Sequence, residues 1–205
     1  MAMAGWFPGG VRRRLTGLHR VSTRLQHLGE HEDVVQGVVD AVEEHLGFEY
    51  GAVLVLDPAS GGLVPRALTR QGRDAAFLES DKRYVGSWVA GRGEGIAAWV
   101  ARTGTTVRSP DIRLEARYLG LREGIRSELC VPMRARRRIV GVFNTETTRR
   151  GACRPEDQQA LEIVAGELAL ALEARGLHRP RPGRQPPRRA RGISGASRRA
   201  AAAPR

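Results

Sequence analysis

The sequence predicts an α+β domain in which a six-stranded antiparallel sheet is covered on both faces. Three observations lead to this prediction. Apolar residues repeat with helical spacing near both ends of the chain, six short apolar runs lie between them, and turn-forming residues separate several of those runs. With 205 residues, of which 41% are hydrophobic, the chain is long enough to bury the core of one such domain.

The first two elements are predicted to be helices. The first is expected to end at Gly29, and its apolar stripe consists of Leu18, Val21, Leu25 and Leu28. The second begins near Glu32 and is expected to stop at Gly47, and its apolar side consists of Val35, Val38, Val39, Val42 and Leu46. The narrow first stripe suits contact with another helix, whereas the second helix is expected to pack on a sheet.

Three strands are predicted next. Residues 48–56 and 63–69 are predicted to form a hairpin, because residues 57–62 (Asp-Pro-Ala-Ser-Gly-Gly) are turn formers. After a short helix or an irregular stretch around residues 73–79, residues 83–89 are expected to form the third strand.

The second half of the domain contains two helices and three more strands. Residues 96–102 predict a short helix that Gly104 can end, and residues 105–108 a brief strand. After a long polar loop, residues 127–133 and 139–145 predict a hairpin in which Pro132 requires a bulge or an unpaired position. The last helix begins at Pro155 and runs to about Arg175. Its two apolar stripes predict two neighbours, the sheet and a partner helix.

The positive charge is concentrated at the carboxyl end. Residues 174–205 hold ten arginines and no acidic residue, and they supply most of the net charge of +12. Because the stretch from His178 onward has almost no large apolar residue beyond Ile193, residues 176–205 are predicted to be a disordered basic tail. One interpretation is that the tail binds nucleic acid or an anionic membrane. The favoured interpretation is that it is a solvated appendage or an out-of-frame translation. Residues 1–13 are expected to be a flexible N-terminus, and residues 14–175 the folded domain.

Other protein classes are disfavoured by composition. No apolar run is long enough to span a bilayer, and residues 1–10 do not have the pattern of a signal peptide, so the chain is expected to be cytoplasmic and not associated with a membrane. Cys130 and Cys153 are too few for a disulfide framework and have no metal-binding spacing. A structural metal is therefore not expected.

A spaced series of short motifs runs through the second half of the domain. It consists of Gly93-Glu94-Gly95-Ile96, Trp99-Val100-Ala101-Arg102-Thr103-Gly104, Asp111, the stretch from Ile125 to Met133, Val140-Gly141-Val142-Phe143-Asn144, and Glu156-Asp157. In order and spacing this series resembles the GAF family of small-molecule-binding sensory modules. The resemblance covers roughly residues 14–175. It implies terminal helices on one face of the sheet and, on the other, a ligand cavity beneath a short helix and loops.

The resemblance also implies a set of residues near that cavity. The candidate binding residues are Trp88, Ile96, Trp99, Val100, Asp111, Tyr118, Ser127, Leu129, Val131, Asn144 and Glu146. For Trp99 a plain core position is an equal alternative, and for Asp111 a turn or helix-start role is the favoured one. Strand alternation places Asn144 and Glu146 on the face of Val140 and Val142. Whether that face meets the cavity or the helices stays open at this stage.

The specific chemistries of the family find no support in these residues. Members that bind cyclic nucleotides carry a lysine close to the position of Asn144, and this chain has none there. Bilin attachment and methionine sulfoxide reduction both need cysteines in the cavity segments, and no cysteine lies between Gly91 and Leu129. None of the five histidines falls in those segments, which disfavours iron or haem. The cofactor, if any, is left unknown.

The resulting expectation is a non-catalytic sensory domain that binds a small molecule and signals through terminal helices in a homodimer. An output domain or a partner protein could receive the signal. Two alternatives stay open: an enzyme resembling free methionine-(R)-sulfoxide reductase, and nucleic-acid binding through the basic tail.

Overall fold

The computed structural model describes residues 16–23, 25, 33–46, 48–70, 76, 79–80, 95–119 and 123–176. Helix α1 covers residues 16–23, and a helical residue follows at position 25. The other elements are α2 (Val34–Leu46), β1 (Tyr50–Leu56), β2 (Leu63–Leu68), α3 (Gly95–Thr103), β3 (Val107–Ser109), a 3-10 turn (Ile112–Leu114), β4 (Ser127–Ala135), β5 (Arg138–Thr147) and α4 (Pro155–Ala174). The order of the described elements agrees with the prediction.

The strands form one antiparallel sheet in the order β2-β1-β5-β4-β3. Five of the six predicted strands are therefore present in the described part of the chain. The remaining prediction, a strand at residues 83–89, lies outside the described residues. So do the predicted helix ends at Gly29 and Gly47, the N-terminal residues 1–13, and residues 177–205 of the tail.

The sheet separates two apolar clusters. On one face, α1, α2 and α4 pack against strand residues in what we call the helix-side cluster, which includes Val21, Val38, Val42, Val53, Leu129, Val131, Phe143, Leu161, Leu168 and Leu172. On the other face, α3 packs against strand residues in what we call the cavity-side cluster. It consists of Leu54, Leu63, Leu68, Ile96, Val100, Val107, Cys130 and Val142. Successive residues of a strand point to opposite faces, so β1, β4 and β5 contribute to both clusters.

Helix α4 begins and packs as its sequence predicts. Pro155 occupies its first turn, and the Asp157 carboxylate accepts a hydrogen bond of 2.8 Å from the Arg154 backbone amide. Its buried stripe faces the sheet. Helix α1 lies beside it, since Ser22 Oγ donates to Glu167 Oε2 over 2.8 Å. The helix-to-helix contact expected from the narrow stripe of α1 is thus present.

The β4–β5 hairpin contains a bulge, as Pro132 predicts, but the bulge follows Met133 and does not lie at Pro132 itself. Pro132 pairs with Val142, and β3 pairs only with Glu128–Cys130 and so ends before it. The register shifts between Met133 and Arg134, which leaves Val140 outside the ladder. A residue in such a bulge departs from the alternation of its strand. Val140 accordingly packs in the helix-side cluster, and its predicted place on the face of Asn144 is wrong.

Candidate functional site

A cavity of about 390 Å³ lies on the α3 face of the sheet. Strands β1, β5 and β4 form its floor, and α3 with Tyr118 and Leu119 forms the facing wall. Its apolar surface comes mainly from Leu54, Leu56, Leu63 and Ile96. The cavity thus occupies the side of the sheet opposite the terminal helices, as the family resemblance implied.

Small side chains keep this space open. Ala97, Ala98 and Ala101 present methyl groups from α3, and Ala52 does so from β1. Ile96 and Val100 on the same helix are buried and fix its distance from the sheet. The helix ends at Gly104, which adopts a φ of +69° and donates its backbone N–H to the Val100 carbonyl over 2.8 Å. The end that the sequence predicted for this helix is confirmed.

Three buried polar side chains form one end of the cavity, which we call the polar floor: Glu128, Asn144 and Glu146. The strand register explains why they meet. Glu146 of β5 pairs with Tyr50 of β1 on one side and with Glu128 of β4 on the other. Asn144 lies two residues before Glu146, on the same face. The exposed fractions are 3% for Glu128, 7% for Asn144 and 4% for Glu146.

The environment of the polar floor favours the neutral form of Glu128. Burial is the largest cause that raises the pKa of Glu128 well above its ordinary value, and the Glu146 carboxylate adds to it. A hydrogen bond between Asn144 and the Glu128 carboxylate acts in the opposite direction. Because this hydrogen bond lowers the pKa, the Asn144 amide N–H is its donor. The Asn144 Oδ1 is buried with no hydrogen-bond partner among the described residues.

The structure brings four of the predicted site residues into the cavity wall: Ile96, Tyr118, Asn144 and Glu146. Val100 is fully buried in the cavity-side cluster, and Trp99 packs against that cluster. The guanidinium of Arg117 lies 4.3 Å from the centroid of the Trp99 ring, so this tryptophan also anchors the segment that leads to Tyr118. Trp88 lies outside the described residues.

Three predicted site residues of β4 lie on the opposite face of the sheet from the cavity. Leu129 and Val131 belong to the helix-side cluster, because they alternate with Glu128 and Cys130 along β4. Ser127 shares their face, and its Oγ lies 2.8 Å from the carbonyl oxygens of both Pro110 and Arg149. Their predicted place at the cavity is therefore wrong.

Asp111 has the helix-start role that the sequence favoured. It caps the 3-10 turn by accepting from the Arg113 backbone amide, and its carboxylate lies 2.7 Å from Arg113 Nη2 and 2.8 Å from Arg150 Nη2. These guanidinium contacts, the Arg113 hydrogen bond first, hold the pKa of Asp111 well below its ordinary value. Asp111 does not line the cavity.

Sequence reasoning missed Glu128 as a cavity residue. An acidic residue inside the run Ser-Glu-Leu-Cys-Val is the signal that could have found it, since a carboxyl in a buried strand needs a polar surrounding. It also missed the contribution of β1, from which Tyr50, Ala52 and Leu54 line the cavity. Alternation along β1 links these three residues, but only the sheet order places β1 beside β5.

The described residues offer no metal centre and no reactive thiol. Nowhere among them do three or more His, Cys, Asp or Glu side chains group as a metal ion would require. Cys130 and Cys153 are both buried. Burial raises the pKa of Cys130 well above its ordinary value and that of Cys153 to about 12, which disfavours the nucleophilic thiolate. Within the same part of the chain, none of the helices has the length and apolar character needed to cross a membrane.

Comparison with known proteins agrees with this architecture. The family model described as GAF domain matches residues 30–173. No curated protein matches the chain in sequence. The fold is similar to free methionine-R-sulfoxide reductase from Neisseria meningitidis in complex with its substrate, with a TM-score of 0.68, 16% identity, and coverage of 86% of this chain and 98% of that chain.

Two further structures are GAF domains. The GAF domain of a phosphoenolpyruvate-protein phosphotransferase from Coxiella burnetii gives a TM-score of 0.67 at 20% identity, covering 82% of this chain and 98% of its own. The A. aeolicus nlh2 GAF domain in an inactive state gives 0.62 at 14% identity, with coverage of 81% and 99%. At such identities the likeness establishes a shared fold.

Proposed function

The chain belongs to the GAF domain family, and from this premise we propose that it is a non-catalytic sensory module that binds a small molecule in the cavity above β1, β5 and β4. The polar floor is the observation that carries the proposal. A buried polar atom without a hydrogen bond lowers stability, so the Asn144 Oδ1 atom is better explained by a bound partner than by the fold.

The size and lining of the cavity support the same conclusion. Its volume of about 390 Å³ falls within the range of about 300 to 1,000 Å³ that is usual for small-molecule sites. Apolar side chains supply most of the named lining, and the polar groups are confined to Glu128, Asn144, Glu146, Tyr50 and a few others. This combination of apolar walls with few convergent polar groups is typical of a binding site.

Strand β5 offers a physical connection from the cavity to the helices. Asn144 and Glu146 face the cavity, whereas Phe143 between β1 and β4 packs in the helix-side cluster. A ligand that binds one arrangement of β5 better than another would therefore bias the packing of α4 on the same strands. Helices α4 and α1 would then pass the change to a receiving domain or protein.

A homodimer through the terminal helices is part of the proposal. Helix α4 leaves Ile163 and Leu170 exposed at 48% and 54%, and seven residues bring two side chains to the same side of a helix. The buried stripe of α4 already faces the sheet. The second apolar stripe is thus available for a second copy of the chain.

A catalytic role of the methionine sulfoxide reductase type is not favoured. That chemistry needs a thiolate beside the substrate, and Cys130, the cysteine nearest the polar floor in the register, is buried with a raised pKa. An assay of free methionine sulfoxide reduction tests this point. We expect no turnover above the uncatalysed rate, and turnover would overturn the non-catalytic assignment.

The binding function is tested by thermal shift with a metabolite library, followed by native mass spectrometry of the hits. A ligand at about 100 times its dissociation constant should raise the free energy of unfolding by about 2.7 kcal/mol. Ala101→Leu should abolish the effect, because the added side chain would occupy the cavity. The matched control is Ala174→Leu at an exposed position of α4. A library without hits, or hits that stabilise both variants equally, would contradict binding in this cavity.

A further inference from the structure

Resting on the proposed function, we propose that the ligand carries a cationic ammonium head group, which binds at the polar floor between Glu128, Asn144 and Glu146. The remainder of the ligand lies along the apolar wall of Leu54 and Ile96. The inference concerns the chemical class of the ligand at this site.

The first support is the direct opposition of two carboxyl side chains. Glu128 and Glu146 are paired residues of antiparallel neighbours and both line the cavity. The β-carbons of such a pair lie about 4.5 to 5.5 Å apart, and like charges at this spacing repel. Both residues are at least nine-tenths buried, so water screens the repulsion weakly. A cation placed between them would relieve it.

The second support is the buried amide of Asn144. Its amide group donates to Glu128, and its Oδ1 has no hydrogen-bond partner in the described part of the chain. With Glu128 ionised, as it would be beside a cation, the polar floor presents carboxylate oxygens and one amide oxygen, all of them acceptors. An ammonium group carries three N–H donors and no acceptor, which matches this set.

The same set of atoms disfavours other head groups. A carboxylate or phosphate would add negative charge beside Glu128 and Glu146, which is costly in a buried site. A hydroxyl could donate one hydrogen bond and would supply no charge. Neither would compensate two acidic side chains as an ammonium does.

Among the described residues, four other charged or titratable groups lie near the polar floor. Glu115 adds negative charge near Glu128, and its own carboxylate binds Arg117 at 2.6 Å. Arg102 lines the cavity from the exposed end of α3. Tyr50 pairs with Glu146 on β1, and Cys130 follows Glu128 by two residues on β4. The direct neighbours of the two glutamates on their own strands are Ser127 and Leu129 on β4 and Thr145 and Thr147 on β5, none of which carries a charge.

A dependence of affinity on pH follows from this chemistry. In the free protein Glu128 retains its proton above the ordinary pKa of a glutamate, because burial and the Glu146 charge oppose ionisation. A bound cation favours the ionised carboxylate, so binding releases that proton. Affinity for an ammonium ligand should therefore rise with pH, up to the range of about pH 10 in which an alkylamine loses its own charge.

The test uses three probes with the same alkyl chain: hexylammonium, hexan-1-ol and hexanoate. Isothermal titration calorimetry with the full chain should show hexylammonium binding about tenfold tighter than hexan-1-ol, or more, and hexanoate binding weakest. The hexylammonium affinity should increase between about pH 6 and about pH 8, with proton release detected by repeating the titration in buffers of different ionisation enthalpy.

Two variants connect the preference to the carboxyl pair. The double variant Glu128→Gln with Glu146→Gln should lose the preference for hexylammonium and keep the affinity for hexan-1-ol. Glu44→Gln, at a side chain of α2 that is 59% exposed, is the matched control and should bind like the unchanged protein. If the double variant does not fold, as judged by circular dichroism, Glu128→Gln alone serves as the test. It should lose the rise of affinity with pH, because it has no proton to release.

The outcomes separate this proposal from the proposed function. Equal or tighter binding of hexan-1-ol or hexanoate would overturn the ammonium assignment and leave small-molecule binding intact. Retention of the preference in the double variant, or of the pH dependence in Glu128→Gln, would also overturn it. Binding of none of the three probes would overturn it as well, whereas the metabolite library alone decides whether the cavity binds small molecules.

Discussion

Glu128 and Glu146 lie directly opposite each other on β4 and β5, and both are buried where their side chains reach the cavity. This pairing places two buried carboxyl groups, which repel when both are ionised, at the candidate ligand site. Burial and the repulsion within the pair both favour a proton on Glu128. Stability and pH are therefore coupled at one point of the sheet, and under the proposed function ligand choice is coupled to them.

The first prediction concerns stability and pH. The pKa of Glu128 is raised in the folded state relative to the unfolded chain, so the protonated form is the one that folding favours. The stabilisation is present below the ordinary pKa of glutamate and is lost as pH rises through the raised pKa. Urea unfolding should therefore show a free energy that falls on going from mildly acidic to alkaline pH.

In Glu128→Gln this part of the fall should be absent, because the glutamine side chain does not ionise. Glu44→Gln is the control that changes charge without touching the cavity, and it should follow the unchanged protein. Parallel pH profiles for Glu128→Gln and the unchanged protein would mean that Glu128 is ionised throughout.

The second prediction concerns two glycines. A β-carbon at Gly141 would run into the Leu54 backbone carbonyl, whereas one at Gly166 in α4 would meet nothing within 4 Å. Gly141→Ala should lower the free energy of unfolding by about 1 to 3 kcal/mol or more, since the sheet backbone must shift. Gly166→Ala should raise it by about 0.5 to 1 kcal/mol, because alanine favours the helix. Chemical denaturation measures both, and equal effects would be inconsistent with this packing of β1 on β5.

The third prediction separates the two faces of β4. Leu129→Ala should lower the free energy of unfolding by about 2 to 5 kcal/mol, because Leu129 is fully buried in the helix-side cluster. Because Leu129 lies on the face opposite the cavity, the substitution should change ligand affinity by less than about twofold. A twofold change corresponds to less than about 0.5 kcal/mol of binding free energy. Calorimetric titration of a thermal-shift hit measures the second quantity. A large loss of affinity would place Leu129 at the cavity after all.

The fourth prediction concerns self-association. Replacing both exposed apolar residues of α4, Ile163→Asp with Leu170→Asp, should convert a dimer into a monomer in light scattering, because two charges would be buried at the contact. Leu114→Asp is the control, since Leu114 is 85% exposed and belongs to the 3-10 turn and not to α4. Its oligomeric state should not change. A dimer that persists in the double variant would exclude this face of α4 as the contact.

Much of the fold was predictable because its signals are local. The helical spacing of Val35, Val38, Val39 and Val42 and the turn chemistry of residues 57–62 depend on neighbours in sequence. The start of α4 at Pro155 and the end of α3 at Gly104 also follow from capping residues. Such features need no knowledge of which elements meet.

The candidate site was predictable in part. Ile96, Tyr118, Asn144 and Glu146 line the cavity, whereas Leu129, Val131, Ser127 and Asp111 do not. The resemblance located the segments near the cavity, but within a strand it could not choose between alternate residues. A shift of one residue moves a side chain from one face of the sheet to the other. The binding roles themselves stay predictions until a ligand is measured.

The sequence by itself determined the kinds, order and approximate limits of the elements, because periodicity and capping are properties of adjacent residues. Only the tertiary structure decided that Glu128 meets Glu146, that Val140 leaves the alternation of β5, and that β1 joins the cavity floor. These features depend on strand order and register between segments far apart in the chain. They are fixed by the packing of two apolar clusters on opposite faces of one sheet.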